Sequence, residues 1–176
     1  MMDTNRGIIM INTGNGKGKS TSAFGLALRA VGHDQNVCII QFMKGDIDTG
    51  EYRAFAKYLP QVRFEATGST DFVDRDNPSP MDLDEADRGM QLAKEALQGD
   101  YQLVILDEIN VAIDFGLVST ESVLRLVQQR APHVSVMLTG RQAPESLRQA
   151  ADMVSEITEI KHHFYSGVAA KPGIEY

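Results

Sequence analysis

Several kinds of chemistry are crowded into Thr13-Gly14-Asn15-Gly16-Lys17-Gly18-Lys19-Ser20-Thr21. Glycines let backbone N–H groups turn inward and form a concave nest for an anion. Lys19 adds a mobile positive charge, and Ser20 can set a hydroxyl on a magnesium ion. The apolar run Ile8-Ile9-Met10-Ile11 comes before it and a helical pattern follows, so the helix beginning near Lys19 aims its positive dipole end at the same anion. The usual spacing of such a loop is G-x-x-x-x-G-K-[ST]. Here only Asn15, Gly16 and Lys17 separate Gly14 from Gly18-Lys19-Ser20, and Thr13 stands where the first glycine would be. The short spacing marks a subclass of phosphate loop. A glycine-rich turn that binds nothing is the plainer reading, and the strand before and helix after weigh against it.

Other candidates lie at the ends of apolar runs. Leu103-Val104-Ile105-Leu106 runs into Asp107-Glu108. Magnesium prefers hard oxygen ligands, so one carboxylate with the Ser20 hydroxyl and phosphate oxygens is a sufficient set. Two solvated acids at a strand end would be the alternative without the loop. Arg141 follows Gly140 after Ser135–Thr139, where a guanidinium can grip phosphate oxygens in bidentate fashion. Arg29 lies on the helix that starts at the loop, and it reads equally as a phosphate ligand or a surface arginine. His162 and His163 have no Cys, His or acid at ligand spacing, so surface or packing roles are expected of them rather than a metal site. Cys38, the only cysteine, sits in the apolar run Val37-Cys38-Ile39-Ile40 and reads as a buried thiol.

The elements that must hold these residues alternate. Strands are expected at Gly7–Asn12, Val37–Phe42, Val62–Ala66, Leu103–Leu106, Ser135–Thr139 and Met153–Ile160. The first helix should turn Phe24, Ala27, Leu28 and Val31 inward and stop at Gly32 in a left-handed cap. Helices follow at Glu51–Tyr58, from Ser79-Pro80 onward, at Thr120–Gln129 and at Pro144–Ala151. Ser79, Pro80 and Asp82 have the order of a helix start with a capping box. Leu83, Ala86, Met90, Ala93 and Leu97 form its core stripe. Gly45 and Gly50 flank an acidic loop with Asp46 and Asp48, and 68–80 is the longest irregular stretch, a candidate lid. Alternating strand and helix predicts an α/β fold: a mostly parallel sheet with helices on both faces. Ligands in such sheets bind beyond the carboxyl ends of the strands, where the loop, Asp107-Glu108 and Gly140-Arg141 all fall.

Length and charge narrow the function. The 176 residues suit a single domain, 1–176. A net charge of -7, with no basic block outside the loop, argues against nucleic acid as a partner. No stretch approaches a membrane span and no signal-peptide pattern opens the chain, which predicts a cytoplasmic protein without a membrane partner.

Together these residues resemble one family, the ATP:corrinoid adenosyltransferases of the cobalamin pathway with a modified phosphate loop. The matching segments are Gly14 through Thr21, Arg29-Ala30-Val31-Gly32-His33, Gln41-Phe42-Met43-Lys44-Gly45, Gly50-Glu51, Ala66-Thr67-Gly68, Leu106-Asp107-Glu108-Ile109-Asn110, Leu138-Thr139-Gly140-Arg141, Ala151 through Glu156, and Lys161-His162 through Gly173-Ile174-Glu175-Tyr176. The resemblance implies a RecA-like, P-loop NTPase-like fold. It also implies a reaction in adenosylcobalamin synthesis or salvage: a corrinoid reduced to Co(I) attacks C5′ of ATP, and triphosphate leaves. The nucleotide would lie reversed in the loop. Lys19, Ser20 and Thr21 would take phosphates and Mg2+, Glu108 would take Mg2+, and Arg29 and Arg141 would take phosphates. Asn15, Gly16, Lys17 and Gly18 would form the nest. An electron donor that makes Co(I) and a homodimer are implied too. Some members carry aromatics after the Ala-Thr-Gly segment; here Ser69 and Asp71 stand there, with Phe72 one further on. Some members have an N-terminal cover for the corrinoid, and the residues before Gly7 are expected to be too few to make one.

From the residues alone, two other functions stay open. One is a small-molecule kinase or NTPase using the loop in the ordinary orientation. The other is a nucleotide-binding switch without chemistry.

Overall fold

A computed structural model describes residues 6–45 and 49–175. Asp46 and Asp48 of the expected acidic loop, and Tyr176, lie outside the described residues. The elements run β1 (Ile9–Thr13), α1 (Lys19–Val31), β2 (Val37–Gln41), α2 (Gly50–Tyr58), β3 (Arg63–Ala66), α3 (Pro80–Gln98), β4 (Leu103–Asp107), α4 (Ile109–Asp114), α5 (Thr120–Gln128), β5 (Ser135–Thr139), α6 (Glu145–Ala150) and β6 (Met153–Glu156). A short 3-10 turn, His163–Ser166, comes after β6.

The strands form one sheet in the order β3-β2-β4-β5-β1-β6, and each neighbouring pair is parallel. Parallel strands need crossover connections, and the helices supply them. Side chains alternate across the sheet. Ile9, Ile11, Cys38, Ile40, Val104, Leu106, Val136 and Leu138 pack with α3, α4, α5 and α6. Met10, Val37, Ile39, Leu103, Ile105 and Met137 face α1 and α2 on the other side. The central strands β1, β2 and β4 are buried along their whole length, so they read as unbroken apolar runs rather than alternating ones. The expected α/β, P-loop NTPase-like architecture with helices on both faces is the one present.

Several details differ from expectation. α1 turns Ala23, Phe24, Ala27 and Ala30 to the sheet and leaves Leu28 58% exposed. Small alanines let the helix lie close across β4 and β5, and that close fit fixes its rotation. Gly32 closes α1 with φ -65, so it is not a left-handed cap; the positive φ comes at Asp34. In α3, Ala86, Ala93 and Leu97 are buried as expected, but Leu83 is on the exposed side while Gly89 faces Phe42. The capping box is present: Asp82 N–H donates to Ser79 Oγ and Ser79 N–H to Asp82 Oδ2. The helix α4 was not anticipated, because it begins only two residues past β4 with no cap signal. β6 stops at Glu156, not Ile160. The carbonyl of Ile157 accepts instead from Gly16 N–H at 2.8 Å, so the chain leaves the ladder to buttress the phosphate loop.

Candidate phosphate and nucleotide site

β1 is buried at all five positions, and it delivers the chain to a loop with little side-chain bulk. Gly14 has φ 95 and lies so close to Ile157 that a Cβ would sit 2.4 Å from its carbonyl oxygen. Gly18 has φ 113 and serves as the N-cap of α1 without any side-chain cap. The first N–H groups of α1 are therefore left facing outward with no capping side chain, the arrangement that receives an anion. Lys19 is buried, and its Nζ donates to Gly16 O at 2.7 Å. Burial pushes its ammonium down from the ordinary lysine range; Glu108 pulls the other way and Arg141 adds to the depression. Ser20 and Thr21 follow in the first turn, Ser20 half-buried and Thr21 exposed.

Thr13 gives the short spacing a physical role. Its Oγ1 accepts from Ala143 N–H at 3.2 Å. The residue that replaces the first glycine thus ties the phosphate loop to the segment after β5 that carries Arg141.

Beside the loop, the carboxyl ends of three strands are joined through Asp107, which is fully buried. Its Oδ1 accepts from Thr139 Oγ1 on β5 at 2.6 Å, and its Oδ2 accepts from Gln41 Nε2 on β2 at 2.8 Å. Thr139 Oγ1 in turn accepts from Glu108 N–H at 3.0 Å. Glu108 sits in the left-handed region at φ 60, an uncommon conformation for a residue with a side chain. The two neighbouring acids therefore divide their work. Asp107 clamps the strand ends, and Glu108 is left as the acid turned to the site. Burial raises the Glu108 carboxyl above its ordinary range and Asp107 adds to this, while Lys44, Lys19 and Arg141 oppose it.

The charges of Glu108 and Arg141 thus act on Lys19, and those of Lys44, Lys19 and Arg141 act on Glu108. Lys44 follows β2, where its backbone N–H donates to Thr67 O at 3.0 Å. It belongs to the Gln41-Phe42-Met43-Lys44-Gly45 segment, in which nothing local marks a lysine as a site residue. The available signal was position, since it follows a strand's carboxyl end as Arg141 does. Thr139 and Gln41 were missed because nothing local marks a residue as the partner of a buried acid. Arg29 is not brought into this group. It is exposed on the last turn of α1, about 15 Å along the helix axis from Lys19 at 1.5 Å per residue. In this chain its position fits the surface reading.

Hydroxyl and carboxylate oxygens are the donors magnesium takes, so Ser20 and Glu108 suit that ion chemically. The 67–79 connection beyond β3 is irregular, and Pro80 of the expected 68–80 stretch already belongs to α3. Glu85 accepts from Gly68 N–H at 3.1 Å, Arg75 pairs with Asp114 at 2.9 Å, and the Phe72 ring is fully exposed. Cys38 is buried, its thiol pushed up to about 12 by burial.

Comparison with known proteins fits this picture. The chain is 37% identical over 172 residues to a corrinoid adenosyltransferase of Pseudomonas aeruginosa, covering 97% of this chain and 84% of that one. It is 36% identical to the corrinoid adenosyltransferase CobA of Salmonella typhimurium, covering 97% and 86%. Solved structures share the fold at low identity. The flagellar accessory protein FlaH of Methanocaldococcus jannaschii superimposes with TM-score 0.60 at 16% identity, covering 86% of this chain and 71% of that one. The RadB recombinase gives 0.54 at 15%, covering 90% and 77%. The profile of ATP:corrinoid adenosyltransferase BtuR/CobO/CobP matches residues 5–176, and the chain belongs to that family.

Proposed function

We propose that the protein transfers the 5′-deoxyadenosyl group of ATP to the Co(I) centre of a reduced corrinoid. The cobalt–carbon bond forms as the C5′–O bond breaks, and the electron pair of that bond leaves with triphosphate. The observation that carries this reading is the placement of the phosphate loop with Lys19, of Lys44, of Glu108 and of Arg141 just past the carboxyl ends of the four adjacent parallel strands β1, β2, β4 and β5. A departing triphosphate needs this environment, because negative charge grows on its oxygens as the bond breaks. Co(I) is already a strong nucleophile, so the reaction asks for no general base.

In this reading Asn15, Gly16, Lys17 and Gly18 form the nest, and Lys19, Ser20 and Thr21 take the phosphates. Ser20 and Glu108 would hold Mg2+, which supplies charge neutralisation on the phosphate oxygens. Arg141 and Lys44 reach the same oxygens from the ends of β5 and β2, and Arg29 stands apart from them. The nucleotide lies reversed, with C5′ toward the corrinoid. The corrinoid lies toward 67–79 and Phe72. Residues 1–176 act as one domain. An external electron donor, a cytoplasmic setting and a homodimer complete the proposal. Exposed Ile160, Phe164 and Ile174 support the homodimer, since a second copy could cover them. No helix among the described residues is long and apolar enough to cross a membrane.

The test is product identity. The protein is incubated anaerobically with ATP, Mg2+ and a chemically reduced corrinoid. Triphosphate with a light-sensitive adenosylcorrinoid is expected; ADP or free phosphate as the product would overturn the reading in favour of phosphoryl transfer.

A further inference from the structure

The C-terminal segment folds back on the phosphate loop and brings together groups that are far apart in sequence. Lys17 of the loop donates to Glu175 Oε2 at 3.1 Å. The other oxygen, Oε1, is buried and without a hydrogen-bond partner. His163 Nε2 lies 3.6 Å from it, too far for a hydrogen bond. His162 stacks on His163, with ring centroids 4.6 Å apart. Donor atoms of His162, His163 and Glu175 all lie within 4.8 Å of one another, and this is the convergent group of such side chains among the described residues.

A carboxylate oxygen and an imidazole nitrogen 3.6 Å apart are poorly placed for each other and well placed for a shared ion. Two ligands about 2.1 Å from a tetrahedral centre lie about 3.4 Å apart. We propose that His162, His163 and Glu175 form a binding site for a divalent cation of the zinc type, which fastens the C-terminal segment against the phosphate loop. Two imidazoles and one carboxylate select a first-row transition ion over magnesium, which favours oxygen. His163 Nε2 and Glu175 Oε1 form the core of the site. His162 completes the set by turning out of its stack on His163 and giving up the long 3.2 Å bond its Nδ1 accepts from Phe164 N–H. Lys17, held on Oε2, orients the carboxylate from behind, as outer partners of metal ligands do. His163 is 33% exposed, so the fourth position opens to water. The site is separate from the oxygen pair Ser20 and Glu108, and it links the loop to residues that the sequence order places last.

Zinc binding is read on the full chain, stripped of metal, by calorimetry with Zn2+ in the presence of excess Mg2+ and without nucleotide or corrinoid. One Zn2+ per chain is expected. His163→Gln keeps the Lys17–Glu175 pair, yet it and Glu175→Gln should each weaken binding by at least about tenfold, the loss that even an outer partner can cause. His33→Gln, remote from the cluster, should bind as the wild type does. Bound Zn2+ should also slow tryptic cleavage after the exposed Lys161, which precedes His162. Absence of saturable binding by the wild type, or equal affinity in wild type and His163→Gln, would overturn the proposal. So would equal weakening by His33→Gln. None of these readouts depends on adenosyl transfer, so failure here is distinguishable from failure of the proposed function.

Discussion

Replacing Thr139 by valine tests whether the network around Asp107 builds the site. Valine keeps the shape of threonine but removes one oxygen that works twice. Thr139 Oγ1 donates to Asp107 Oδ1 at 2.6 Å and accepts from Glu108 N–H at 3.0 Å. Thr139 and Asp107 are both fully buried, so water cannot replace either bond without opening the sheet. A hydrogen bond to a carboxylate is worth about 1.5–3 kcal/mol, and an orphaned N–H costs about 1–3 kcal/mol. The expected loss is about 4 kcal/mol, a large part of the roughly 5–15 kcal/mol that holds a domain together. Thr139→Ser keeps both bonds and loses only one methyl, for about 1 kcal/mol. Urea unfolding of the three proteins measures the differences by linear extrapolation. Adenosyl transfer by folded Thr139→Val should fall as well, because Glu108 loses the anchor for its left-handed backbone. If Thr139→Val unfolds within about 1 kcal/mol of wild type, the oxygen does not organise these strand ends and the reasoning fails.

Other substitutions probe separate parts of the argument. Lys19→Ala should lower kcat by two orders of magnitude or so, corresponding to about 3 kcal/mol of lost charge stabilisation, in the coupled triphosphate assay; a rate near wild type would exclude the loop from the chemistry. The Cys38 thiol should stay silent to a thiol reagent until the protein unfolds, so the labelling rate should follow urea concentration. Its pKa is raised on folding from 9.0 to about 12, so its contribution to stability is full below 9.0 and is lost as pH rises through that interval, which pH-dependent unfolding would show. Ser79→Ala should cost about 1 kcal/mol through the lost helix cap. Ser79 is also the main reason the Asp82 carboxyl is held below 3.8, so the wild-type advantage should be present above 3.8 and shrink as pH falls below it; a constant difference across that range would contradict the assignment.

The legible parts of this protein are those whose causes are contiguous. β1, the glycine loop and the start of α1 are adjacent in the chain, and backbone geometry alone makes them a phosphate nest. The Ser79–Asp82 cap is legible for the same reason, as are the apolar runs of β2 and β4. The family resemblance rests on such local segments. What needed the tertiary structure was the identity of partners. Thr13 reaches Ala143, Asp107 reaches Gln41 and Thr139, and Glu175 reaches Lys17 and His163. The rotation of α1, which leaves Leu28 outside, was likewise set by how closely alanines allow a helix to approach the sheet. Periodicity marks a face of a helix but not the depth at which it docks. A buried acid looks the same in sequence whether it clamps strands or meets a ligand; only the distances to its neighbours separate Asp107 from Glu108.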